Sequence, residues 1–191
     1  MKKEFPVKQL GAAHIPSSLP ISCSSKHKDF KFVDDDNCIL HDVAVSSTNE
    51  KQAPYSFEQA GPRAHSYFDS SKVRAGIVTC GGLCPGINNV IRTIVMQLHH
   101  NYGVQRIHGF RYGFQGFIPS YQHDIMDMTP SNVRNIHNLG GSILSSSRGP
   151  QDPGEIVDCL ERNNIRILFC IGGDGTLHGA HAIAEEVERR N

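Results

Sequence analysis

Apolar positions along the 191-residue chain change rhythm near residue 70. Before it, Phe30, Phe32, Val33, Ile39, Leu40, Val43 and Val45 are scattered among Ser, Lys, Asp, Pro and His, without a sustained strand or helix period. This predicts an irregular amino-terminal arm over residues 1–70, with one or two short strands. From Val73 onward, short β-branched runs alternate with one-sided apolar stretches, and glycine-rich turns fall between them. That alternation predicts an incomplete α/β domain over residues 71–191, a Rossmann-like parallel sheet with flanking helices.

The individual elements follow from spacing. Val73 to Thr79 reads as a buried strand, and Cys80-Gly81-Gly82-Leu83-Cys84-Pro85-Gly86 after it as a turn. Ile87, Val90, Ile91, Ile94, Val95 and Leu98 recur at three and four, predicting a helix packed on a sheet and stopped by Gly103. Val104 to Phe110 is a second strand, followed by the aromatic loop Arg111 to Phe117. Thr129-Pro130 caps a short helix through His137, and Ile143 to Ser146 reads as a third strand. Asp152-Pro153-Gly154-Glu155 has the form of a capping box and opens a helix with Ile156, Val157 and Leu160 inward. Asn163-Asn164 end it, Ile165 to Ile171 is the clearest buried strand, and Gly172-Gly173-Asp174-Gly175-Thr176 is its turn. The last helix is predicted to bury Leu177, Ala180, Ile183, Ala184 and Val187.

Charge narrows the partners. Lys+Arg and Asp+Glu number 19 each, so no general field attracts nucleic acid or an anionic membrane, and any phosphate binding is local. No run approaches the roughly 18 apolar residues of a membrane span. Pro6, Lys8 and Gln9 interrupt any secretory core, and Asp34-Asp35-Asp36 argues against a transit peptide, which leaves a cytoplasmic location as the expectation. Six cysteines are read as thiols; Cys80 and Cys84 are expected to be buried rather than zinc ligands, since no second pair or His cluster lies near them. Of the 11 histidines, His178 and His181 have a ligand-like spacing of three, but without a third ligand they read as surface residues.

The two glycine turns, 80–86 and 172–176, carry the chemistry. Each lies between the carboxyl end of a strand and the start of a helix, where an open α/β sheet binds ligands. Glycine there lets backbone N–H groups approach phosphate oxygens, and the helix dipole favours the negative charge. Either turn alone would equally serve as a tight corner. Asp174 is the only carboxylate in the second turn; it suits Mg²⁺ arriving with phosphates, or the capping of the next helix. Arg148 lies in Ser145-Ser146-Ser147-Arg148-Gly149-Pro150, as a surface arginine or as a cation for phosphate in transit.

The series Thr79-Cys80-Gly81-Gly82-Leu83-Cys84-Pro85-Gly86-Ile87-Asn88-Asn89-Val90-Ile91-Arg92, then Gly109 to Gly116, then Gly140-Gly141-Ser142 with Ser146 to Pro150, then Gly172 to Thr176, resembles the ordered motifs of the 6-phosphofructokinase family. The wording is similar to the plant and protist branch, which also has an arm with segments like Phe57 to Arg63 and Tyr67-Phe68-Asp69. The resemblance implies a cytoplasmic, homo-oligomeric (tetrameric) kinase transferring the ATP γ-phosphoryl group to fructose 6-phosphate with Mg²⁺. It implies that Gly82 contacts nucleotide phosphates, that Arg148 and Gly149 line the ATP site, and that Gly173, Asp174, Gly175 and Thr176 cradle phosphate, with Asp174 serving Mg²⁺. It makes Gly175 the choice of donor, because pyrophosphate-using members commonly carry aspartate there. It also places the family's catalytic base in a loop beyond Asn191, so residues 1–191 are expected to be a nucleotide-site fragment without that base. The alternatives are a noncatalytic nucleotide-binding or subunit-pairing fragment, a pyrophosphate-dependent enzyme, or an NAD or diacylglycerol kinase. Those two kinases share GGDGT, but the turn Gly81 to Asn88 is not expected in either.

Overall fold

The computed structural model describes residues 8–19, 32–41 and 55–191. Two compact units divide the chain, Met1–Asp69 and Ser70–Asn191. Phe30, Val43 and Val45 lie outside the described residues.

Among its described residues the first unit has four very short strands, against one or two expected: β1 (Ile15–Pro16), β2 (Cys38–Leu40), β3 (Ser56–Glu58) and β4 (His65–Ser66). They form two antiparallel pairs, β1 with β4 and β2 with β3. Alternation over two or three residues is too brief to show as a period. Arg63 joins the segments by polar contacts: it reaches Glu58 Oε1 at 3.1 Å, the Gln59 carbonyl at 2.7 Å and Asp35 Oδ1 at 3.0 Å. Ile39 and Leu40 are exposed, so they do not anchor a core.

The second unit is a four-stranded sheet. Its elements are β5 (Arg74–Thr79), α1 (Ile87–Met96), β6 (Arg106–Phe110), β7 (Ile125–Asp127), α2 (Pro130–Val133), α3 (Pro153–Arg162), β8 (Ile165–Ile171) and α4 (Asp174–Arg190). The order is β7-β6-β5-β8, with β5 parallel to both β6 and β8. β5 is central and its residues from Ala75 to Thr79 are buried, as a strand covered on both faces should be. Phe110, Phe114, Phe117, Ile156, Val157, Leu160 and Ile183 form one core cluster with Val78 and Cys80. Asp152 caps α3, its carboxylate accepting from the Glu155 N–H at 3.1 Å, and Asn164 leaves the helix at φ +53°.

Several expectations are corrected. The sheet is mixed, because β7 pairs antiparallel with β6. Ile143 to Ser146 forms no strand; Ser145 sits at φ +57°, in the left-handed region and away from extended backbone, and the segment instead crosses the end of β5. The helix begun at Pro130 stops at Val133, and a separate 3₁₀ turn covers Ile136–Asn138. In α1 the buried line is Ile87, Ile91, Val95 and then Leu98 in the wide turn Gln97–Asn101, while Val90, off that line, is 45 % exposed. Only Ile165 of β8 is buried, because β8 is an edge strand. Within α4, Thr176 and Ile183 are buried, but Leu177, Ala184 and Val187 are exposed. That helix lies against α3 and β8 through its other side, where the missing side chain of Gly179 makes room for the Phe114 ring.

Candidate functional site

Three segments converge beyond the carboxyl ends of β5 and β8: the first glycine turn, the serine-arginine loop and the second glycine turn. They enclose a cavity of about 820 Å³. Gly82, Arg148, Gly149, Gly173, Asp174, Gly175 and Thr176 all line it, so residues spread over 95 positions of sequence share one space.

The first turn is fastened to the loop. Gly81 donates its N–H to the Ser147 carbonyl at 3.0 Å, and Ser146 Oγ donates back to the Gly81 carbonyl at 2.6 Å. Thr79, buried at the end of β5, donates its hydroxyl to the Ser145 carbonyl at 2.6 Å. Asn88 in α1 holds the approach to this loop: its amide donates to the Leu139 carbonyl at 3.0 Å and accepts from the Ile143 N–H at 2.9 Å. Arg148 is the first side chain past these ties. It is exposed, with no hydrogen bond or ion pair among the described residues, and a Cβ built on Gly82 would lie 3.9 Å from its Nη2.

The second turn is built differently. Gly173 is the N-cap of α4 and gives no side-chain cap, so Asp174 stands at the first helical position and does not cap. Its carboxylate has no hydrogen bond or ion pair among the described residues. The helix begins with the Thr176 and Leu177 N–H groups on the Gly173 carbonyl, at 2.8 and 3.1 Å. The amides of Asp174 and Gly175 therefore lie ahead of the ladder, available to an anion. Thr176 is buried and turns its hydroxyl toward the Cys80 carbonyl at 3.5 Å, across to the first turn.

The opposite wall of the cavity is apolar: Phe114, Pro150, Pro153, Ile156, Ala182 and Ile183. Sequence reasoning gave Ile156 and Ile183 as inward core positions and assigned none of these residues to a ligand site. The spacing of Gly179, Ala182 and Ile183 from Gly175 puts them on one face of α4, a signal present in the sequence; Phe114 arrives through tertiary packing. His178, read as a surface residue, is exposed and also lines the cavity. Cys80 forms part of the floor, where burial and the neighbouring Cys170 push its thiol up to about 12. A thiol raised that far stays in its neutral form at neutral pH. Cys84, in contrast with expectation, is exposed.

One end of this cavity offers backbone amides, a free guanidinium and a free carboxylate, and the other offers apolar surface. An α/β sheet with such a crevice at its strand ends belongs to the class of folds that receive ligands there. The phosphofructokinase family profile matches residues 74–190. The ATP-dependent 6-phosphofructokinase of Amycolatopsis methanolica is 44 % identical over 189 residues, covering 96 % of this chain and 41 % of the relative. That of Trypanosoma cruzi is 44 % identical over 165 residues, covering 84 % of this chain and 34 % of the relative. The likeness thus extends equally to a bacterium and a protist. Among solved structures, phosphofructokinase from Saccharomyces cerevisiae superposes with a TM-score of 0.54 at 23 % identity, over 63 % of this chain and 16 % of that one, a likeness of fold. The chain belongs to the phosphofructokinase family. It spans about two fifths or less of the length of these relatives. No helix among the described residues is long and apolar enough to cross a membrane.

Proposed function

We propose that this chain is the nucleotide-binding part of an ATP-dependent 6-phosphofructokinase. The observation that carries the reading is glycine where the fold does not need it. At Gly173 and Gly175 a Cβ would meet nothing within 4 Å, and neither residue lies in the left-handed region. Packing and backbone conformation would both accept alanine, yet both positions leave the cavity open beside an unpaired aspartate. A ligand whose phosphates occupy that space explains the pattern.

On this reading the triphosphate lies across the amides of Gly82, Asp174 and Gly175, with Gly149 at the cavity wall. The apolar wall around Ile156 and Ile183 takes the nucleoside. Thr176 keeps the two turns in register through the Cys80 carbonyl. Arg148 supplies positive charge to the phosphoryl group in flight, where a fixed guanidinium stabilises the charge of the transition state. Asp174 fits the needs of Mg²⁺: a lone carboxylate free of other partners, beside phosphates that supply the remaining oxygens. Among the described residues no cluster of three or more His, Cys, Asp or Glu could hold a metal by itself. When bound, Mg²⁺ would neutralise phosphate charge there.

The donor reading rests on Gly175. Aspartate at that position would project a second negative charge into the open space next to Asp174, which suits a shorter pyrophosphate and opposes a triphosphate. In the whole-length protein the acceptor is fructose 6-phosphate, and the protein works as a cytoplasmic homo-tetramer; these rest on the family resemblance. Calorimetric titration of the 191-residue chain with ATP and with inorganic pyrophosphate tests the site. Saturable binding of ATP at lower concentration than pyrophosphate is expected. No saturable ATP binding, or a preference for pyrophosphate, would overturn the reading.

A further inference from the structure

The loop that carries Arg148 is tied to β5 and its turn by three bonds that land on three consecutive residues. Ser145 receives the Thr79 hydroxyl at 2.6 Å, Ser146 donates to the Gly81 carbonyl at 2.6 Å, and Ser147 receives the Gly81 N–H at 3.0 Å. Gly81 is thus held on both its N–H and its carbonyl by the same loop. Among the described residues Ser146 supplies the one side-chain bond that the loop gives to the turn, and it does not itself line the cavity. The residue that follows these ties, after Ser147, is Arg148, whose guanidinium is free and stands over Gly82. The tied backbone also holds Ser145 at φ +57°, a conformation a serine does not adopt without support from its surroundings.

We infer that Ser146 is a positioning residue for phosphate recognition: its bond to the Gly81 carbonyl holds the backbone that carries Arg148 against the first turn, so that the free guanidinium is presented to phosphate beside Gly82. Ordering a loop on a ligand costs free energy, so fixing in advance the backbone that carries Arg148 lowers that cost. The effect reaches only the phosphate end of the cavity. The apolar wall is formed by Phe114, α3, α4 and Pro150, and the side-chain bond of Ser146 goes to none of them but to the Gly81 carbonyl. This inference rests on the nucleotide reading of the same site.

The test compares ATP with adenosine. Wild type, Ser146→Ala, Ser146→Thr, Arg148→Ala and the double variant Ser146→Ala/Arg148→Ala of the 191-residue chain are titrated with both, alongside thermal melts. Ser146→Ala is expected to weaken ATP about ten-fold, the scale of one lost hydrogen bond, with adenosine unchanged. Ser146→Thr keeps the hydroxyl and is expected to restore ATP affinity. In the Arg148→Ala background the alanine at 146 is expected to change ATP affinity by less than about two-fold, because the residue it acts through is gone. If Ser146→Ala does not melt like wild type, Ser146→Cys, nearly isosteric with a weak donor, takes its place and is expected to show the same selective loss. Unchanged ATP affinity, equal losses for ATP and adenosine, or full additivity with Arg148→Ala would each overturn the inference. Failure of wild type to bind ATP would overturn the nucleotide reading, and this inference with it.

Discussion

The two glycine turns occupy equivalent places at the ends of neighbouring parallel strands, yet their glycines serve different needs. In the first turn, Gly81 at φ +80° and Gly86 at φ +96° are required by the backbone, and the turn is bonded to the serine loop on both sides. In the second, Gly172 is required by close approach, since a Cβ there would lie 2.6 Å from the Cys80 carbonyl oxygen and overlap the Thr176 hydroxyl. Gly173 and Gly175 are required by neither. One turn is a fastened support left open at Gly82, where a Cβ would meet only Arg148 Nη2 at 3.9 Å, while the other is an open rim. A glycine-rich turn therefore carries information about ligands only after the glycines that the chain itself needs are subtracted.

That contrast can be broken by substitution. The largest effect is expected at Gly172→Ala, where backbone and a buried hydroxyl have to move; we expect a loss of about 3 kcal/mol in denaturant unfolding. A loss below about 0.5 kcal/mol would place Gly172 with the ligand glycines instead. Gly175→Asp should leave the melt unchanged and weaken ATP about thirty-fold, about 2 kcal/mol, through repulsion between carboxylate and phosphate. Equal ATP affinity would remove the rim from the site. Thr176→Val keeps the shape and removes the 3.5 Å hydroxyl contact to Cys80. A contact of that length is weak, so a stability loss under about 1 kcal/mol is expected in the same unfolding measurement.

The smallest effect concerns the far end of α4, which anchors the open turn. Arg190 joins Asp158 of α3 at 2.6 Å and Glu186 at 2.7 Å, and Glu186 also meets Arg189. Hydrogen bonds from Arg189 and then Arg190 hold the Glu186 carboxyl down at about 2, from an ordinary 4.5. A depressed carboxyl stabilises the fold above its unfolded value and loses that contribution as pH falls through the folded one. Melting temperature against pH should therefore show wild type above Glu186→Gln at pH 5 to 7, with the gap closing between about 4.5 and about 2. A constant gap across that range would assign the difference to packing.

Much of the second unit was readable from its sequence, and the reasons are local. The apolar runs of β5 and β8, the cap at Asp152 and the left-handed stop at Asn164 need no knowledge of the rest of the chain. What failed depended on neighbours. β8 has the composition of a central strand, and within these residues it pairs with β5 on one side, which leaves most of its side chains half-buried. The stripe Leu177, Ala184 and Val187 has helical spacing, but α4 turns its small residues toward Phe114 instead. Ile143 to Ser146 looked extended, yet Thr79 and Gly81 draw it into a bent crossing. The proposed site was half readable: the turn glycines, Asp174 and Arg148 announce themselves by type and place. The apolar wall and the Ser146 tie exist only once the loop has folded over the strand end.

The central claim is that both turns and the Arg148 loop bind one nucleotide together. Backbone amide chemical shifts of the isotopically labelled 191-residue chain, followed during titration with ATP and Mg²⁺, test it most directly. The account predicts concerted, saturable shifts at Gly81 to Leu83, Ser147 to Gly149 and Gly173 to Leu177, with one dissociation constant, and no shifts at Arg74 and Arg106 on the opposite end of the strands. Shifts confined to one turn, or different constants for the two, would contradict it.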